Sequence, residues 1–284
     1  MNGITGTIRC DSIRESANIH WIKSLPFLGI HVACLAAFWT GVSWKALVLC
    51  FALYIIRMFG ITAGYHRYFS HRSYRTGRLF QYVLAWIGCS ALQKGPLWWA
   101  AHHRHHHQHS DQQEDVHSPK LRGFWWAHIG WVLSDTYEAT HSDLIKDFSK
   151  YPELTWLNRY SALPGVLLAM GCLLAMGWQG LVWGFFISTV LLYHGTFVIN
   201  SLCHMFGRVR YKTPDTSRNS MVLALITLGE GWHNNHHHYA TSVRMGFFWW
   251  EIDMSYYALS LLSFLGIVWD MKKPSQRVLE TART

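Results

Sequence analysis

The sequence predicts an all-α integral membrane protein with four transmembrane helices in two hairpins and a cytoplasmic helical cap. Three observations support this class. Only 14% of the 284 residues are charged, against roughly 25% in soluble proteins. The apolar residues gather in long runs, two close together in each half of the chain. The segments between the two pairs and after them are polar and contain clusters of histidine.

The four apolar runs have the length that a transmembrane helix needs. Each is close to the ~20 residues that cross the hydrocarbon core. A short turn at Gly41–Lys45 joins the first pair, and the sequence GWQG joins the second. The predicted spans are, approximately, residues 25–43, 44–63, 158–176 and 181–199.

The distribution of Lys and Arg predicts which side of the membrane each segment occupies. The turns inside the hairpins are nearly uncharged, whereas the N-terminus, the central segment and the C-terminal third are rich in Lys and Arg. Because such residues stay on the cytoplasmic side, we expect both termini and all the histidine clusters there. The predicted divisions are a cytoplasmic segment 1–23, a domain 24–271 with its cap at 64–157 and 200–271, and a flexible tail 272–284.

Three other apolar stretches are too short to cross and predict helices at the membrane interface. They are Leu79–Leu92, Phe124–Leu133 and Tyr256–Trp269. The formal charge of +9 is then explained by cytoplasmic Lys and Arg, without nucleic acid as a partner. The six cysteines are scattered and predict neither a disulfide frame nor a thiolate metal site. Two isolated histidines in the spans, His31 and His194, are interpreted as hydrogen-bonded structural groups.

The histidine clusters predict a shared metal centre with more than one ion. His233, His236 and His237 have the spacing i, i+3, i+4, which places three imidazoles on one face of a helix. The segment Ala101–His107 repeats that spacing in two overlapping ways, starting at either His102 or His103, and periodicity does not choose between them. A looser pair, His66 and His71, completes the set. The competing interpretation is a low-complexity, metal-scavenging histidine run.

The motifs HRYFSH, HRHHH and HNNHH, in this order, resemble the three histidine boxes of the membrane fatty-acyl desaturases. The surrounding sequences GITAGYHRYFSHRS, INSLCH and GEGWHNNHHH are similar to the delta-9 type, which includes stearoyl-CoA desaturases and bacterial relatives. The resemblance covers residues 25–270, approximately. A zinc protease is not supported, because no HExxH occurs. The resemblance also implies a bacterial inner-membrane protein whose active site faces the cytoplasm.

The resemblance implies nine histidine ligands and an Asn that reaches one metal through water. The family pattern H-R-x-H-H selects His103 over His102. The implied ligands are His66, His71, His103, His106, His107, His204, His233, His236 and His237, with Asn200 as the residue acting through water. A metal-bound imidazole is oriented by a hydrogen bond from its other ring N–H, and the acids beside the boxes are candidates to accept that bond. These acids are Asp111, Asp115 and Glu230.

The implied cofactors are two iron ions, with dioxygen as co-substrate. Removing hydrogen from an unactivated methylene needs an oxidant that no side chain supplies, and a cofactor must carry that chemistry. In the family a Gln, a Trp and a Thr shape a kinked acyl tunnel. The corresponding residues are Gln93, Trp99 and Thr196, which implies a cis double bond between the ninth and tenth carbons.

The chain departs from the animal acyl-CoA enzymes at the two places where they bind the CoA head. Their Arg-Asp pair corresponds to Ala101-His102, and their Arg-Lys pair to Ser134-Asp135. The implied substrate is therefore an acyl-CoA or an acyl-lipid of the membrane. Electrons must come from an external donor, a ferredoxin or a cytochrome b5-like protein, because neither GxGxxG nor C-x-x-C-H occurs. A hydroxylase with the same boxes, or a non-catalytic metal-binding or transport protein, are the alternative functions.

Overall fold

The structure is a computed structural model that describes residues 19–281. The predicted N-terminal segment 1–23 therefore lies mostly outside the described residues. The described part is mostly helical, with irregular connections, a few isolated β-bridges and one two-stranded antiparallel ribbon, in which Arg75 pairs with Trp269. The helices are α1 Trp21–Thr40, α2 Trp44–Ser70, α3 Arg78–Cys89, α4 Pro96–His109, α5 Pro119–Trp125, α6 Lys146–Ser149, α7 Pro152–Arg159, α8 Leu163–Gln179, α9 Ser188–Asn200, α10 Leu202–Met205, α11 Met221–Ile226, α12 His233–His238, α13 Met254–Phe264 and α14 Gln276–Glu280, and the strands are β1 Arg75–Thr76 and β2 Val268–Trp269.

Three of the described helical stretches are long and apolar enough to cross a membrane. Two are α1 and α2. The sequence predicted the first at 25–43, shifted towards the C-terminus, and the second at 44–63, which ends before α2 does. The third is Leu163–Met205, a 43-residue stretch that contains both runs of the second predicted hairpin. It is interrupted at Met176 and at Gly177, where φ is +60°. A side chain at Gly180 would collide with the carbonyl of Cys172, so the chain packs back on itself at this break.

The second half of α2 is a π-helix that runs from Gly60 to Ser70 and is fully buried. Small residues allow it to approach α3 closely, since a Cβ at Gly64 would lie 3.3 Å from the Cβ of Leu84. Aromatic and aliphatic side chains around Tyr65, Phe69 and Leu84 form the main core, which lies beside this helix. The π-helix therefore carries the first histidine box into the buried interior of the protein, beside this core.

The short apolar stretches form helices that keep an exposed apolar side. The predicted interfacial helix at Tyr256–Trp269 corresponds to α13, which ends at Phe264; the predicted helical end at Val268–Trp269 is instead strand β2, where it pairs with β1. On α13, Leu261 is 61% exposed and Phe264 86%. The predicted helix at Leu79–Leu92 is α3. The predicted helix at Phe124–Leu133 follows a break at Gly123, where φ is +81°, and runs through the wider turn Trp126–Gly130 to Leu133.

The C-terminal segment differs from the flexible tail that the sequence predicts over 272–284. Helix α14 lies within it and is anchored to the cap, since the ring of His238 bonds the carbonyl of Val278 at 2.9 Å and Tyr211 donates to that of Leu279 at 3.2 Å. Hydropathy did not indicate these contacts, because α14 is short and polar and is stabilised by distant partners. Residues 282–284 lie outside the described part.

Candidate metal centre and cavity

The π-helical turn of α2 explains how two histidines five residues apart share one face. In an α-helix the spacing i, i+5 diverges, but a π-helix closes i to i+5 hydrogen bonds. The backbone N–H of His71 donates to the carbonyl of His66 at 3.2 Å, which is such a bond. The two rings lie 4.8 Å apart at nearly right angles. The spacing of the two histidines was the one sequence feature that pointed to this local geometry.

The structure gathers the nine histidines of the three boxes and of α10 into two groups. Within each group the candidate ligand atoms lie within 4.8 Å of one another. The first group takes residues from α2, α4 and α12, and the second from α4, α10 and α12. The groups are His66, His71, His103, His107 and His236, and His106, His204, His233 and His237.

The geometry separates the two overlapping triads that periodicity left open in α4. His103, His106 and His107 point into the two groups. His102 instead bonds the carbonyl of Ala139 through Nε2 at 3.0 Å, and the ring of His105 packs on His109. The second box therefore begins at His103 in this arrangement.

The nitrogen spacing suits metal ligands. Four Nε2···Nε2 distances in the first group run from 2.9 to 3.1 Å, and His204 and His233 lie 3.0 Å apart in the second. Nitrogens about 2.1 Å from an ion and at right angles around it are about 3.0 Å apart, whereas tetrahedral ligands are about 3.4 Å apart. Five imidazoles also exceed the four ligands of a structural zinc site. The donor set therefore fits an ion with more than four ligands.

Burial keeps most of these imidazoles neutral, as a metal ligand must be. Burial, followed by the neighbouring imidazoles, lowers the pKa well below its usual range for five of them: His71, His103, His107, His233 and His236. Burial also lowers the pKa of His237 to about 4, although Asp215 acts against it. For His106 burial is outweighed by Asp115, and the pKa is raised.

Four carboxylates hold the outer Nδ1 nitrogens of these rings. Asp115 lies 3.0 Å from Nδ1 of His106, and Asp215 lies 2.7 Å from Nδ1 of His237. Glu230 contacts Nδ1 of His66. Asp111 lies 3.7 Å from Nδ1 of His204, while Thr216 bonds that nitrogen at 3.3 Å.

All four acids stay ionised in the folded protein. Burial would raise the pKa of Asp115, but His106 and His117 outweigh it and lower the pKa. The same balance lowers the pKa values of the other three, Asp111, Asp215 and Glu230. An ionised acid at Nδ1 fixes the proton there and leaves Nε2 with its lone pair for a metal.

Sequence reasoning missed two parts of this support. Asp215 follows Pro214 in a loop 22 residues before His237, and no local spacing connects the two residues. Arg67 is 1% exposed and joins Glu230 at 3.0 Å to Asp253 at 2.9 Å. Its position directly after His66 was the only available signal.

A cavity of about 380 Å³ lies against the first histidine group. Trp99 connects the two, since its ring stacks on that of His103 with centroids 5.0 Å apart. Gln93 donates to the hydroxyl of Thr196 at 3.0 Å, and both residues line the cavity with Trp99. Asn200 also lines it, so the three predicted tunnel residues and the predicted water-bound Asn meet at one space.

Backbone strain accompanies this wall of the cavity. Leu92 and Lys94 have φ values of 56° and 66°, a region that non-glycine residues rarely adopt. They flank Gln93, and the hydroxyl of Tyr193 donates to the carbonyl of Leu92 at 3.3 Å. Strain of this kind concentrates at functional sites, where the surroundings impose it.

The polar part of the cavity lining contains the positions at which the chain departs from the acyl-CoA enzymes. His102, Ser134 and Asp135 all line it. Two lysines and two acids line it as well, and Lys23 pairs with Glu138 at 2.7 Å. The lining therefore has no excess of positive charge.

Comparison with known proteins agrees with this site. The family model for fatty acid desaturases matches residues 42–263. The chain therefore belongs to the fatty acid desaturase family, and it is a fatty-acyl desaturase, an oxidoreductase.

Individual relatives span most of the chain. It is 39% identical to the sn-1 stearoyl-lipid 9-desaturase of Anabaena variabilis, over 89% of this chain and 94% of the relative. It is 38% identical to the sn-1 stearoyl-lipid 9-desaturase of Synechocystis, over 91% of this chain and 82% of the relative. It is also 39% identical to an acyl-CoA C20 Delta5-desaturase of Anemone leveillei, over 87% of this chain and 80% of the relative.

Proposed function

We propose that the protein is an oxygen-dependent membrane desaturase that inserts a cis double bond between the ninth and tenth carbons of a saturated acyl chain. The observation that carries the proposal is the contact of Trp99 with His103, which brings the cavity against the first histidine group. The cavity lining includes the apolar side chains of Leu92, Phe27 and Ile30, which offer an apolar wall to a hydrocarbon chain.

We further propose that the two histidine groups hold two iron ions. His66, His71, His103, His107 and His236 would hold one ion, and His106, His204, His233 and His237 the other, with Asn200 near them. When bound, the irons supply the oxidising chemistry with dioxygen that side chains lack. The four carboxylates orient the imidazoles, and burial of both groups keeps bulk water from the reaction.

The residues around the cavity select which carbons react. The hydrogen bond between Gln93 and Thr196 and the ring of Trp99 restrict the path of the chain where it passes His103. Holding one methylene pair beside the oxidant converts the reaction into an effectively intramolecular one. A delta-9 product follows if these three residues set the bend, in agreement with the name of the relative from Anabaena.

A membrane lipid is the carrier that the cavity favours over CoA. CoA carries several phosphates, which basic clusters bind. Here the lysines at the cavity, Lys23 and Lys94, are matched by Asp135 and Glu138. A neutral lining suits an ester-linked chain entering from the bilayer. The break at Gly177 supports four crossings of that bilayer, with the cap in the cytoplasm, where an external ferredoxin or cytochrome b5-like donor delivers the electrons.

The test is expression in a host that lacks delta-9 desaturation, followed by fatty-acid analysis with and without oxygen. We expect a new delta-9 cis double bond that requires oxygen and is lost in His103→Ala. His109→Gln, outside both groups, is the matched histidine control. A hydroxylated product would instead identify a hydroxylase, and an unchanged profile with bound metal would favour a metal-binding protein. Supplying the same acyl group on lipid and on CoA to purified protein separates the two carriers.

A further inference from the structure

Three histidines outside the metal groups form a continuous chain from the spans to the cap. Nε2 of His31, on α1, lies 3.3 Å from Nε2 of His194 on α9. Nδ1 of His194 lies 3.0 Å from Nε2 of His128, which follows α5. Nδ1 of His128 lies 3.0 Å from the hydroxyl of Ser201. We refer to these four residues as the imidazole chain.

Both ends of the imidazole chain are carbonyl oxygens, which only accept hydrogen bonds. At one end the carbonyl of Phe27 lies 2.8 Å from Nδ1 of His31. At the other, the hydroxyl of Ser201 donates to the carbonyl of Phe197 at 2.9 Å. Five contacts therefore need five hydrogens. Three neutral imidazoles and one hydroxyl supply only four, so one contact is unfilled unless a histidine carries an extra proton.

Two opposing effects act on that extra proton. Burial lowers the pKa of His128, with the Phe197 carbonyl acting against it. An unfilled contact between two lone pairs in a buried site is itself costly, and one added proton removes it. The unfilled contact therefore gives the imidazole chain a defined place for one added proton, and burial favours its release.

Building on the proposed desaturase function, we propose that His31, His194, His128 and Ser201 form a proton store for the reduction of dioxygen. Reduction of O2 to two waters takes four electrons and four protons. The two C–H bonds that break supply two of each, the external donor supplies two electrons, and the solvent supplies two protons. The store would hold one of those protons and release it through Ser201, next to Asn200, whose side chain lines the cavity.

The hydrogen bonds and ring contacts of the imidazole chain are mostly with uncharged groups. Tyr193 is a titratable neighbour of the His31 ring, at 6.2 Å between centroids, and its hydroxyl is already committed to the carbonyl of Leu92. Phe124 and Phe197 pack on His128. Among residues 19–281, no carboxylate or lysine makes a hydrogen bond or ion pair with the three imidazoles. An added proton thus has only the imidazole chain itself to stabilise it.

Ser201→Ala tests the hydrogen count while keeping all three histidines. Without the hydroxyl, three contacts remain for three imidazole hydrogens, so the neutral form is complete. Because only an added proton fills the fifth contact, the folded wild type should take up that proton more readily than folded Ser201→Ala, whose contacts are already complete. Proton uptake by the folded state stabilises it as the pH falls, and this gain is lost as the pH rises. We therefore expect the melting temperature of the wild type, minus that of Ser201→Ala, to increase from about pH 8 to about pH 5.5.

His194→Phe, which cuts the imidazole chain, should show the same pH-dependent difference, and His109→Gln should show none. A difference that is constant with pH, or that shrinks as the pH falls, overturns the proton store. The measurement uses the full-length protein in lipid nanodiscs without substrate, so it does not depend on the desaturase activity. In the active enzyme, both chain variants should consume more O2 per double bond formed, and an unchanged ratio also overturns the proposal.

Discussion

Asp215→Asn is the most informative perturbation of the metal centre, because it keeps the shape of the side chain and changes only its charge and donors. Oδ1 of Asp215 accepts from the backbone N–H of Ser217 at 3.0 Å, and Oδ2 lies 2.7 Å from Nδ1 of His237. In the variant, the oxygen remains at Ser217 and the new NH2 group faces His237. Two donors then meet at one contact.

A change of tautomer at His237 removes this repulsion between two donors at the lowest cost in free energy. Its proton moves from Nδ1 to Nε2, and Nε2 makes no hydrogen bond within residues 19–281. A protonated Nε2 has no lone pair for a metal. Loss of a carboxylate behind a ligating histidine typically costs 10–100-fold in metal affinity or activity, about 1.4–2.7 kcal/mol. We expect the second histidine group to lose affinity by this factor while the first retains it.

The assay is competition for iron between the purified protein and a calibrated chelator, read together with double bonds formed in the expression host. Asp143→Asn is the control, because it removes an exposed acid from the same cap. Asp215→Glu is the second variant, since it restores an acceptor for Nδ1 and should recover part of the affinity. If Asp215→Asn bound both ions as tightly as wild type, the assignment of Asp215 as the group that orients His237 would be wrong.

Three other outcomes follow from the same geometry. Trp99→Ala removes the ring stacked on His103 and should spread the double bond over neighbouring positions, as measured by mass spectrometry of the products, while the exposed Trp125→Ala should not. Asp253→Asn weakens the buried pair with Arg67 and should lower stability by up to about 3–5 kcal/mol in thermal unfolding, whereas Glu153→Gln, in an exposed pair, should leave it nearly unchanged. Chelation of metal should lower the melting temperature, and excess Fe²⁺ should restore it. At a free Fe²⁺ concentration one hundred times the dissociation constant, one bound ion adds about 2.7 kcal/mol to the free energy of unfolding. Equal melting curves with and without chelator would contradict a metal centre that stabilises the fold.

The fold class, a helical protein with membrane-spanning segments, could be predicted because hydropathy and charge are properties of whole segments. The two apolar pairs and the histidine clusters required no knowledge of contacts. The details that hydropathy could not predict depend on tertiary partners. The π-helix at Gly60–Ser70 exists where α2 packs on α3 and α4, and helix α14 exists where His238 and Tyr211 hold it.

The candidate site shows the same limit at the level of single residues. Asp111, Asp115 and Glu230 were noticed because each lies close to a box in sequence. The structure places Asp115 and Glu230 beside box histidines and Asp111 near His204 of α10. Asp215 has the same role in space without that proximity. His31 and His194 looked isolated in sequence. The hydrogen-bond partner that connects His194 to Ser201 is His128, which comes from a distant segment of the chain. Spacing identifies groups on one element, and only packing joins groups from several.

The charges around the two histidine groups argue for two divalent ions. Imidazoles that ligate a metal are neutral and contribute no charge, and four ionised acids lie behind them: Asp111, Asp115, Asp215 and Glu230. Arg67 also touches Glu230, but its charge is matched by Asp253. Four buried negative charges without compensation would be very costly, because an unpaired buried charge is destabilising in a low dielectric. Two divalent cations at the two groups balance them, whereas a single ion would leave half of that charge unopposed.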